Sequence, residues 1–275
     1  MSASERPPVL ANPRSDRIRK VAALGGRSFR RRRARYLIEG PQAVREAVRF
    51  ISDTVIRVYA DPEAPNPHVA EIANDAVAAH LDVSHATAEV MRAISRDCQG
   101  IAAEAALPLL REAPELVRIA SEGSLIMCLP EISDPGNLGT LIRIADAAGA
   151  DAVVLGPHCV ELTNPKVIRA SVGSVFHLPV IEADLDDAAT QLRSAGFTLI
   201  GADGHAEQEL PNVAALAAPR IAWVFGNEAH GLSTEQRAAC DVLAKVPLRG
   251  HAESLNVAAA AAVCMYAVTL VGSQP

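Results

Sequence analysis

The sequence predicts an α/β protein in which a small α/β domain precedes a larger domain built on a parallel sheet. The main observation lies in residues 124–270, where short, almost continuously apolar strands alternate with helical stretches. Such strands are typical of a parallel sheet that helices cover on both faces. A weaker alternation of the same kind occupies residues 12–106. The length of 275 residues suits one large domain or two of ordinary size.

The first domain is predicted over residues 12–106. A basic helical segment begins near Asn12, an arginine-rich run follows, and a short strand covers 36–40. A helix begins near Pro41, with apolar residues at helical spacing. Further strands are predicted at 55–59, 81–83 and 100–105, and further helices at 68–80 and 86–95. Residues 107–122 are predicted to form a linker or a connecting helix.

The second domain is predicted over residues 123–275. Its strands are expected at Leu125–Leu129, Ala152–Leu155, Val175–Val180, Thr198–Gly201, Ile221–Phe225 and Val242–Val246. Helices are expected between them at 138–149, 164–172, 185–195 and 233–239, and a last helix at 255–270.

The distribution of charge differs sharply between the start of the chain and the rest. The formal net charge is -6, yet residues 1–60 hold 14 Lys and Arg against 5 Asp and Glu. The remaining residues hold 12 Lys and Arg against 27 Asp and Glu. A basic start on an acidic body is compatible with a nucleic-acid partner. Because aromatic residues make up only 3% of the chain, arginine contacts to phosphate are expected rather than base stacking.

The cysteines are five in number and isolated from one another. No Cys or His cluster has the spacing of metal ligands, so we expect small buried side chains and no metal. The chain starts without the apolar segment of a signal peptide, and the Ala-rich run 257–271 is too short and weakly apolar to span a bilayer. A soluble cytoplasmic protein is the expectation, without membrane contact.

The usual nucleotide-binding and hydrolase motifs are missing from the sequence. The loop after the strand Leu125–Leu129 lacks the G-x-G-x-x-G spacing of dinucleotide-binding proteins. No Walker A loop, G-x-S-x-G elbow or H-E-x-x-H helix occurs. These absences argue against the common dinucleotide-binding, P-loop and hydrolase functions of a parallel-sheet domain.

Three other segments place glycines and polar residues just after predicted strands. The first runs from Asn137 to Arg143 and opens a helix whose apolar stripe leaves Arg143 outside the core. The second, residues 226–231, is a turn bounded by Gly226 and Gly231 with Glu228 inside it. The third, residues 246–257, is a loop that leads into the last helix.

In order and spacing these segments resemble the motifs N-x-G-x-x-x-R, G-x-E-x-x-G and P-(variable)-S-L-N-V of the SPOUT superfamily. The resemblance is to its SpoU/TrmH branch, the RNA ribose 2′-O-methyltransferases, and residues 12–105 resemble the substrate-binding domain at the N-terminus of many members. It implies S-adenosylmethionine as cofactor, a deep trefoil knot, a homodimer whose interface includes the 255–270 helix, and a structured RNA substrate. Ribosomal RNA is favoured over tRNA, because the N-terminal domain is similar to that of the rRNA-modifying members.

The resemblance also implies a set of catalytic residues: Arg143, Asn137, Glu228, Ser254 and Asn256. The family's usual proposal is that Arg143 is a base, but a guanidinium stays protonated at neutral pH, which favours phosphate binding and alkoxide stabilisation. Each residue also has a structural alternative. Arg143 could pair with Asp146, Glu228 could be an exposed turn carboxylate, and Asn137 and Ser254 could cap helices.

Two binding sets complete the expectations. Glu228 is expected to orient Arg143 or the substrate, and the cofactor cradle is expected from backbone and apolar groups beside it. The implied cofactor residues are Gly226, Asn227, Val246, Leu248, Leu255 and Ala258. The implied RNA-binding residues are Arg27, Arg30, Arg31, Arg32, Arg33 and Arg35, although a charge run can also be a merely solvated surface.

Two other functions fit the sequence less well. One is a catalytically silent RNA-binding or ribosome-assembly protein, against which the complete Asn137, Arg143, Glu228 and Asn256 set argues. The other is a nucleotide-binding metabolic enzyme with a basic tail, which the missing dinucleotide motif disfavours. The sequence does not identify the RNA, its nucleotide or its base.

Overall fold

The computed structural model describes residues 8–213 and 218–271. These residues form two compact units: Met1–Leu109 with Glu161–Phe176, and Leu110–Val160 with His177–Pro275. Residues 161–176, which the predicted second domain contains, therefore lie in the first unit. Among the described residues, no helix combines the length and apolar character needed to cross a bilayer.

The helices and strands alternate along the chain. The helices are α1 (Asp16–Ala22), α2 (Arg27–Arg33), α3 (Pro41–Phe50), α4 (His68–Ala78), α5 (Ala88–Ile94), α6 (Pro114–Glu122), α7 (Pro135–Ala147), α8 (Pro165–Ser171), α9 (Leu185–Ser194), α10 (Thr234–Ala238) and α11 (Val257–Val271). The strands are β1 (Arg35–Glu39), β2 (Val55–Ala60), β3 (Val83–His85), β4 (Ile101–Ala106), β5 (Leu125–Leu129), β6 (Ala152–Leu155), β7 (Val180–Glu182), β8 (Thr198–Ala202), β9 (Ile221–Phe225) and β10 (Val242–Ala244).

The first unit is built on a mixed four-stranded sheet in the order β1-β4-β2-β3. Strand β4 is antiparallel to both β1 and β2, whereas β2 and β3 are parallel. Side-chain caps fix the starts of α1 and α5, where Ser15 and Thr87 accept hydrogen bonds from the backbone N–H groups of Ile18 and Val90. Apolar residues of these two helices pack on the sheet and form one buried cluster.

The second unit is built on a six-stranded sheet in the order β10-β8-β9-β5-β6-β7. All neighbouring strands are parallel, which confirms the predicted parallel sheet. Every residue of the central strands β5 and β9 is buried, as the apolar runs predict. The carboxyl ends of β10, β8, β9 and β5 are therefore neighbours along one edge of the sheet, where α/β proteins bind ligands.

One predicted element is wrong, and several others differ from the structure in their bounds. The strand predicted at Val175–Val180 is wrong, because Ser174–Phe176 forms a 3-10 turn and the strand β7 covers only Val180–Glu182. Val172 and Gly173, both at positive φ, end helix α8 and turn the chain before it can extend. A short apolar run is compatible with either conformation, so periodicity alone could not decide.

The remaining differences are shifts of bounds. For example, the last helix begins at Val257 rather than 255, and the strand predicted at 81–83 covers Val83–His85. The 107–122 segment contains the connecting helix α6. The trefoil knot implied by the resemblance stays a prediction.

Candidate active site

The start of helix α7 is shaped by Asp134 rather than by Asn137. The Asp134 side chain accepts the backbone N–H of Asn137 at 2.8 Å, and Pro135 occupies the first helical position. The alternative in which Asn137 caps this helix is therefore wrong. The Asn137 side chain is left available for contacts outside its own helix.

Glu228 connects the turn after β9 to the start of α7. Its carboxylate accepts hydrogen bonds from the backbone N–H of Ser133 at 3.3 Å, the backbone N–H of Asp134 at 3.1 Å and the side-chain amide of Asn137 at 3.3 Å. It is thus not an isolated turn carboxylate. Glu228 is expected to orient Arg143 or the substrate; within the described part of the chain it contacts Asn137 and makes no contact with Arg143.

Asn137 is held from a second side by the loop before α11. The Asn256 amide donates to the side-chain oxygen of Asn137 at 3.1 Å, and the Asn256 side-chain oxygen accepts the backbone N–H of Ala258 at 2.9 Å. Asn256 therefore fixes the first turn of α11, a role predicted for Ser254. Ser254 is exposed and lies outside this turn. Glu228, Asn137 and Asn256 form one hydrogen-bonded chain that joins all three motif segments.

Arg143 lies on the exposed side of α7. The residues that flank it in the helix, Leu141, Ile142 and Ala145, are fully buried, so the helix directs Arg143 away from the core. The alternative in which it pairs with Asp146 is wrong, because the Asp146 carboxylate lies 2.8 Å from Nδ1 of His177. No side chain among residues 8–213 and 218–271 pairs with Arg143, so its guanidinium is free to meet a substrate.

A cavity of about 550 Å³ opens at the carboxyl ends of β8, β9 and β10. Five of the six predicted cofactor residues line it: Gly226, Asn227, Val246, Leu248 and Leu255. Glu228 and Ser254 line it as well, whereas Ala258 is buried in α11 and does not. The volume suits a ligand of nucleoside size, since small-molecule sites occupy about 300–1,000 Å³.

The geometry of the turn between Gly226 and Gly231 explains why both of these positions are glycine. Asn227 and Gly231 exchange two backbone hydrogen bonds of 3.0 and 2.9 Å, which close the turn tightly. A Cβ atom on Gly226 would lie 2.3 Å from the carbonyl carbon and oxygen of Gly231, so no side chain fits there. Gly231 has φ +67, a conformation that favours glycine. The turn therefore presents backbone groups and bare Cα atoms to the cavity.

Sequence reasoning missed a charged pair in the same cavity. Asp203 directly follows β8, is 7% exposed, and accepts the backbone N–H of His205 at 2.9 Å. Arg237 of α10 places its Nε 2.7 Å from the Asp203 carboxylate. Both residues line the cavity. The signal that could have found Asp203 is its position at the carboxyl end of a parallel strand.

Three of the five cysteines, Cys98, Cys128 and Cys264, are buried as predicted, whereas Cys159 and Cys240 are partly buried. The Cys159 thiol donates to the carbonyl oxygen of Leu129 at 3.1 Å, and burial raises its pKa to about 11. Cys128 and Cys264 are buried, and burial raises the pKa of each to about 12. At neutral pH these thiols are protonated and poor nucleophiles. Within the described residues, no group of three or more His, Cys, Asp and Glu side chains could hold a metal ion.

The arginine run forms helix α2, and the structure divides its members. Arg30 is 2% exposed, and its guanidinium donates to the carbonyl oxygens of Leu24 and Gly25 and to Glu161 at 2.5 Å. It therefore stabilises the fold of the first unit and is not placed to contact RNA, because its guanidinium is buried and its donors are already used. No local sequence pattern indicates the distant partner Glu161.

The other arginines of the run reach the surface. Arg31, Arg32 and Arg33 are exposed, and the guanidinium of Arg32 lies 4.9 Å from the ring centre of Phe29. Arg27 is largely exposed, with its Nε 3.7 Å from Glu161. Arg35 is partly buried and pairs with Glu104 at 2.7 Å. The exposed cationic groups of α2 are thus Arg27, Arg31, Arg32 and Arg33.

Comparison with known proteins places the chain among RNA-modifying enzymes. Residues 124–266 match the SpoU rRNA Methylase family, and residues 15–103 match the MRM3-like substrate binding domain. The chain is 32% identical over 235 residues to 23S rRNA (guanosine-2′-O-)-methyltransferase RlmB of Xanthomonas axonopodis, a match that covers 83% of this chain and 94% of that protein.

Two further proteins that are similar to this chain are also RNA methyltransferases or members of the SpoU family. The chain is 40% identical over 144 residues to 23S rRNA (guanosine(2553)-2′-O)-methyltransferase RlmP of Bacillus subtilis, covering 51% of this chain and 56% of that protein. The crystal structure of the SpoU methyltransferase AviRb from Streptomyces viridochromogenes in complex with AdoMet superimposes with a TM-score of 0.79 at 26% identity, covering 94% of this chain and 99% of that one. With the family match over more than half its length and three motif segments joined by hydrogen bonds, the chain belongs to the SpoU rRNA methylase family.

Proposed function

We propose that this protein transfers a methyl group from S-adenosylmethionine to the ribose 2′-hydroxyl of a guanosine in 23S ribosomal RNA. The observation that carries the proposal is the hydrogen-bonded chain Glu228–Asn137–Asn256, which joins the three motif segments beside a nucleoside-sized cavity. The ribosomal substrate and the guanosine follow the names of the full-length relatives.

The cavity suits S-adenosylmethionine chemically. The bare turn at Gly226 allows close approach of a flat ring, and the apolar side chains of Val246, Leu248 and Leu255 can enclose it. Backbone N–H and C=O groups at the ends of β9 and β10 can recognise an adenine edge. When bound, S-adenosylmethionine supplies an electrophilic methyl group on a sulfonium.

Arg143 is the residue to which we assign the chemistry. As the 2′ oxygen takes the methyl group it loses its proton, and negative charge develops on it. A guanidinium that is fixed on a helix and free of protein partners can hold the adjacent phosphate and stabilise that charge. The proton then leaves to a phosphate oxygen or to water. Asn137, oriented by Glu228 and Asn256, is placed to position the ribose, with Ser254 at the cavity wall.

The first unit is assigned to RNA recognition. Exposed Arg27, Arg31, Arg32 and Arg33 on one short helix form a cationic surface that suits phosphate oxygens. Arg35 belongs to this set only if its pair with Glu104 opens. The 15–103 match to a substrate-binding domain supports this assignment.

We further assign a homodimer and a cytoplasmic location, where ribosomes are assembled. The dimer is supported by α11, which buries Ala261 and Met265 but exposes Val263 by 44% and Tyr266 by 40%. Large apolar side chains exposed on one helix are typical of an interaction surface.

The test is methyl transfer in vitro. Purified protein and tritiated S-adenosylmethionine are incubated separately with 23S rRNA and with tRNA from a strain that lacks the gene, and the labelled nucleoside is identified. We expect 2′-O-methylguanosine from 23S rRNA only. Label in tRNA would overturn the ribosomal assignment, and absence of S-adenosylmethionine binding would instead indicate a silent RNA-binding protein.

A further inference from the structure

The ion pair between Asp203 and Arg237 lies in the wall of the cavity and has no part in the roles assigned above. The Asp203 side chain is 5% exposed and that of Arg237 is 39% exposed. A carboxylate at this depth needs compensation, which the backbone N–H of His205 and the Arg237 guanidinium supply. Arg237 therefore has a fixed end at Asp203 and an open end toward the cavity.

The open end has hydrogen-bond donors to spare. The Nε of Arg237 lies 2.7 Å from the Asp203 carboxylate as an ion pair without hydrogen-bond geometry, and no group in residues 8–213 or 218–271 accepts a hydrogen bond from the two terminal nitrogens of Arg237. A guanidinium anchored at Nε presents these nitrogens as a planar fork. Such a fork matches the two oxygens of a carboxylate.

The proposed ligand contains that group. S-adenosylmethionine carries an adenine at one end and an amino acid at the other, and the adenine is assigned to the side of the cavity near Gly226, Val246 and Leu248. Asp203 follows β8, which lies between β9 and β10, so the pair occupies the same edge of the sheet. Of the cavity's cationic side chains, Arg237 and Lys245, only Arg237 is held by a buried carboxylate.

We propose that Arg237, oriented by Asp203, binds the α-carboxylate of S-adenosylmethionine and so selects the intact amino acid end of the cofactor. This inference rests on the proposed function, because it assigns a role in binding the same cofactor. Asp203 acts as a positioning residue, and Arg237 makes the contact.

The experiment compares two ligands that differ in the carboxylate alone. Calorimetric titration of the full-length protein measures the dissociation constants of S-adenosylmethionine and of decarboxylated S-adenosylmethionine, and the readout is their ratio. In Arg237→Ala we expect that ratio to shift by roughly tenfold or more toward the decarboxylated ligand, the size of one charged hydrogen-bonding interaction. Arg237→Lys retains the charge without the fork, so we expect an intermediate shift.

Lys245→Met is the matched control. This variant removes one positive charge from the same cavity. A long-range effect of charge would therefore shift the ratio of dissociation constants equally in Lys245→Met and Arg237→Ala. A direct contact with the carboxylate would shift the ratio in Arg237→Ala alone. An unchanged ratio in a folded Arg237→Ala variant, or an equal shift in Lys245→Met, overturns the inference. Failure of the wild-type protein to bind S-adenosylmethionine at all would instead refute the proposed function. Asp203→Asn keeps Arg237 but removes the charge that holds it in place. We expect this variant to shift the ratio of dissociation constants toward the decarboxylated ligand, as in Arg237→Ala.

Discussion

Arg143 has no partner among the described residues, unlike Asn137, Glu228 and Asn256. Asn137, Glu228 and Asn256 hold one another, whereas the Arg143 guanidinium is exposed and unpaired within the described residues. A group that is fixed by its helix but free at its tip loses little when it meets a phosphate. The site thus combines a rigid, hydrogen-bonded part with one cation available for the substrate.

The first prediction concerns Arg143→Ala. We expect the rate of the methyl-transfer step to fall by about 10²–10³, the usual cost of removing one charge-stabilising donor. The dissociation constant of S-adenosylmethionine should stay within about twofold, because Arg143 does not line the cavity. Single-turnover transfer of a tritiated methyl group and calorimetry measure the two quantities. Equal rates for variant and wild type would remove Arg143 from the mechanism.

The second prediction separates two arginines of the same helix. Arg30→Ala leaves the largely buried Glu161 without its closest partner, so we expect a loss of about 3 kcal/mol in the free energy of unfolding. Arg33→Ala alters an exposed side chain, so stability should hold while RNA affinity falls and its salt dependence weakens by about one phosphate contact. Urea unfolding and filter binding at several salt concentrations test both. The opposite pattern would contradict the division of this helix.

At single residues, sequence reasoning could place a side chain where a local motif determines its surroundings. It failed where a residue distant in the sequence determines the side chain's environment. Gly226 and Glu228 could be placed at a cavity because both lie in a short turn after a strand. The burial of Arg30 depends on Glu161, more than a hundred positions away, which no local pattern reveals. The pair of Asp203 with Arg237 was missed for the same reason.

At the scale of elements, the turn 226–231 determines the shape of the cavity. Its two ends are joined by paired backbone hydrogen bonds, and the Gly226 Cα lies against the Gly231 carbonyl. Any side chain at Gly226 must open the turn. A substitution at Gly226 therefore tests the role of the cavity independently of any substitution at Arg143.

The third prediction is that Gly226→Ala abolishes binding of S-adenosylmethionine. A Cβ at 2.3 Å from backbone atoms forces the turn apart and displaces the groups assigned to the adenine. Gly204→Ala is the matched control, since Gly204 lines the same cavity and a Cβ there meets no atom within 4 Å. Calorimetry should show binding in the control and none in Gly226→Ala. Equal affinities would show that this turn does not form the cradle.

Elements were predictable where their period was unambiguous. The strands β5 and β9 and the helices α7 and α9 follow from long apolar runs and regular spacing. The prediction of a strand at Val175–Val180 was wrong because the positive φ angles of Val172 and Gly173 turn the chain. A positive φ angle is rare for a β-branched residue such as Val172, so the sequence does not indicate this turn. The start of α11 was placed two residues early because Asn256, not Ser254, fixes its first turn.

At the scale of the whole molecule, the charge division of the sequence corresponds to separate tasks. The basic start belongs to the first unit, whose α2 presents exposed arginines, and the cavity belongs to the second unit. The first unit also includes residues 161–176, where Arg169 pairs with Glu39 and lies 2.7 Å from Asp97. The domain order was predictable from composition, whereas the inclusion of this later segment was not.

The fourth prediction concerns a chain without residues 1–106. RNA binding should be lost, while S-adenosylmethionine binding should persist, because every residue that lines the cavity lies between 202 and 260. Residues 161–176 would lose Arg30, Glu39 and Asp97 as partners, so we expect faster hydrogen exchange there and a lower melting temperature. Mass-spectrometric exchange and calorimetry are the measurements, with the full-length chain as control. Loss of cofactor binding in a folded truncated protein would contradict the assignment of cofactor binding to the second unit alone.

The proposed function is tested most directly by a map of 2′-O-methyl groups in ribosomal RNA from cells that lack this gene. We predict that one guanosine of 23S rRNA loses its 2′-O-methyl group in these cells. The wild-type gene should restore the group, and a gene carrying Arg143→Ala should not. A map that is identical with and without the gene would contradict the account.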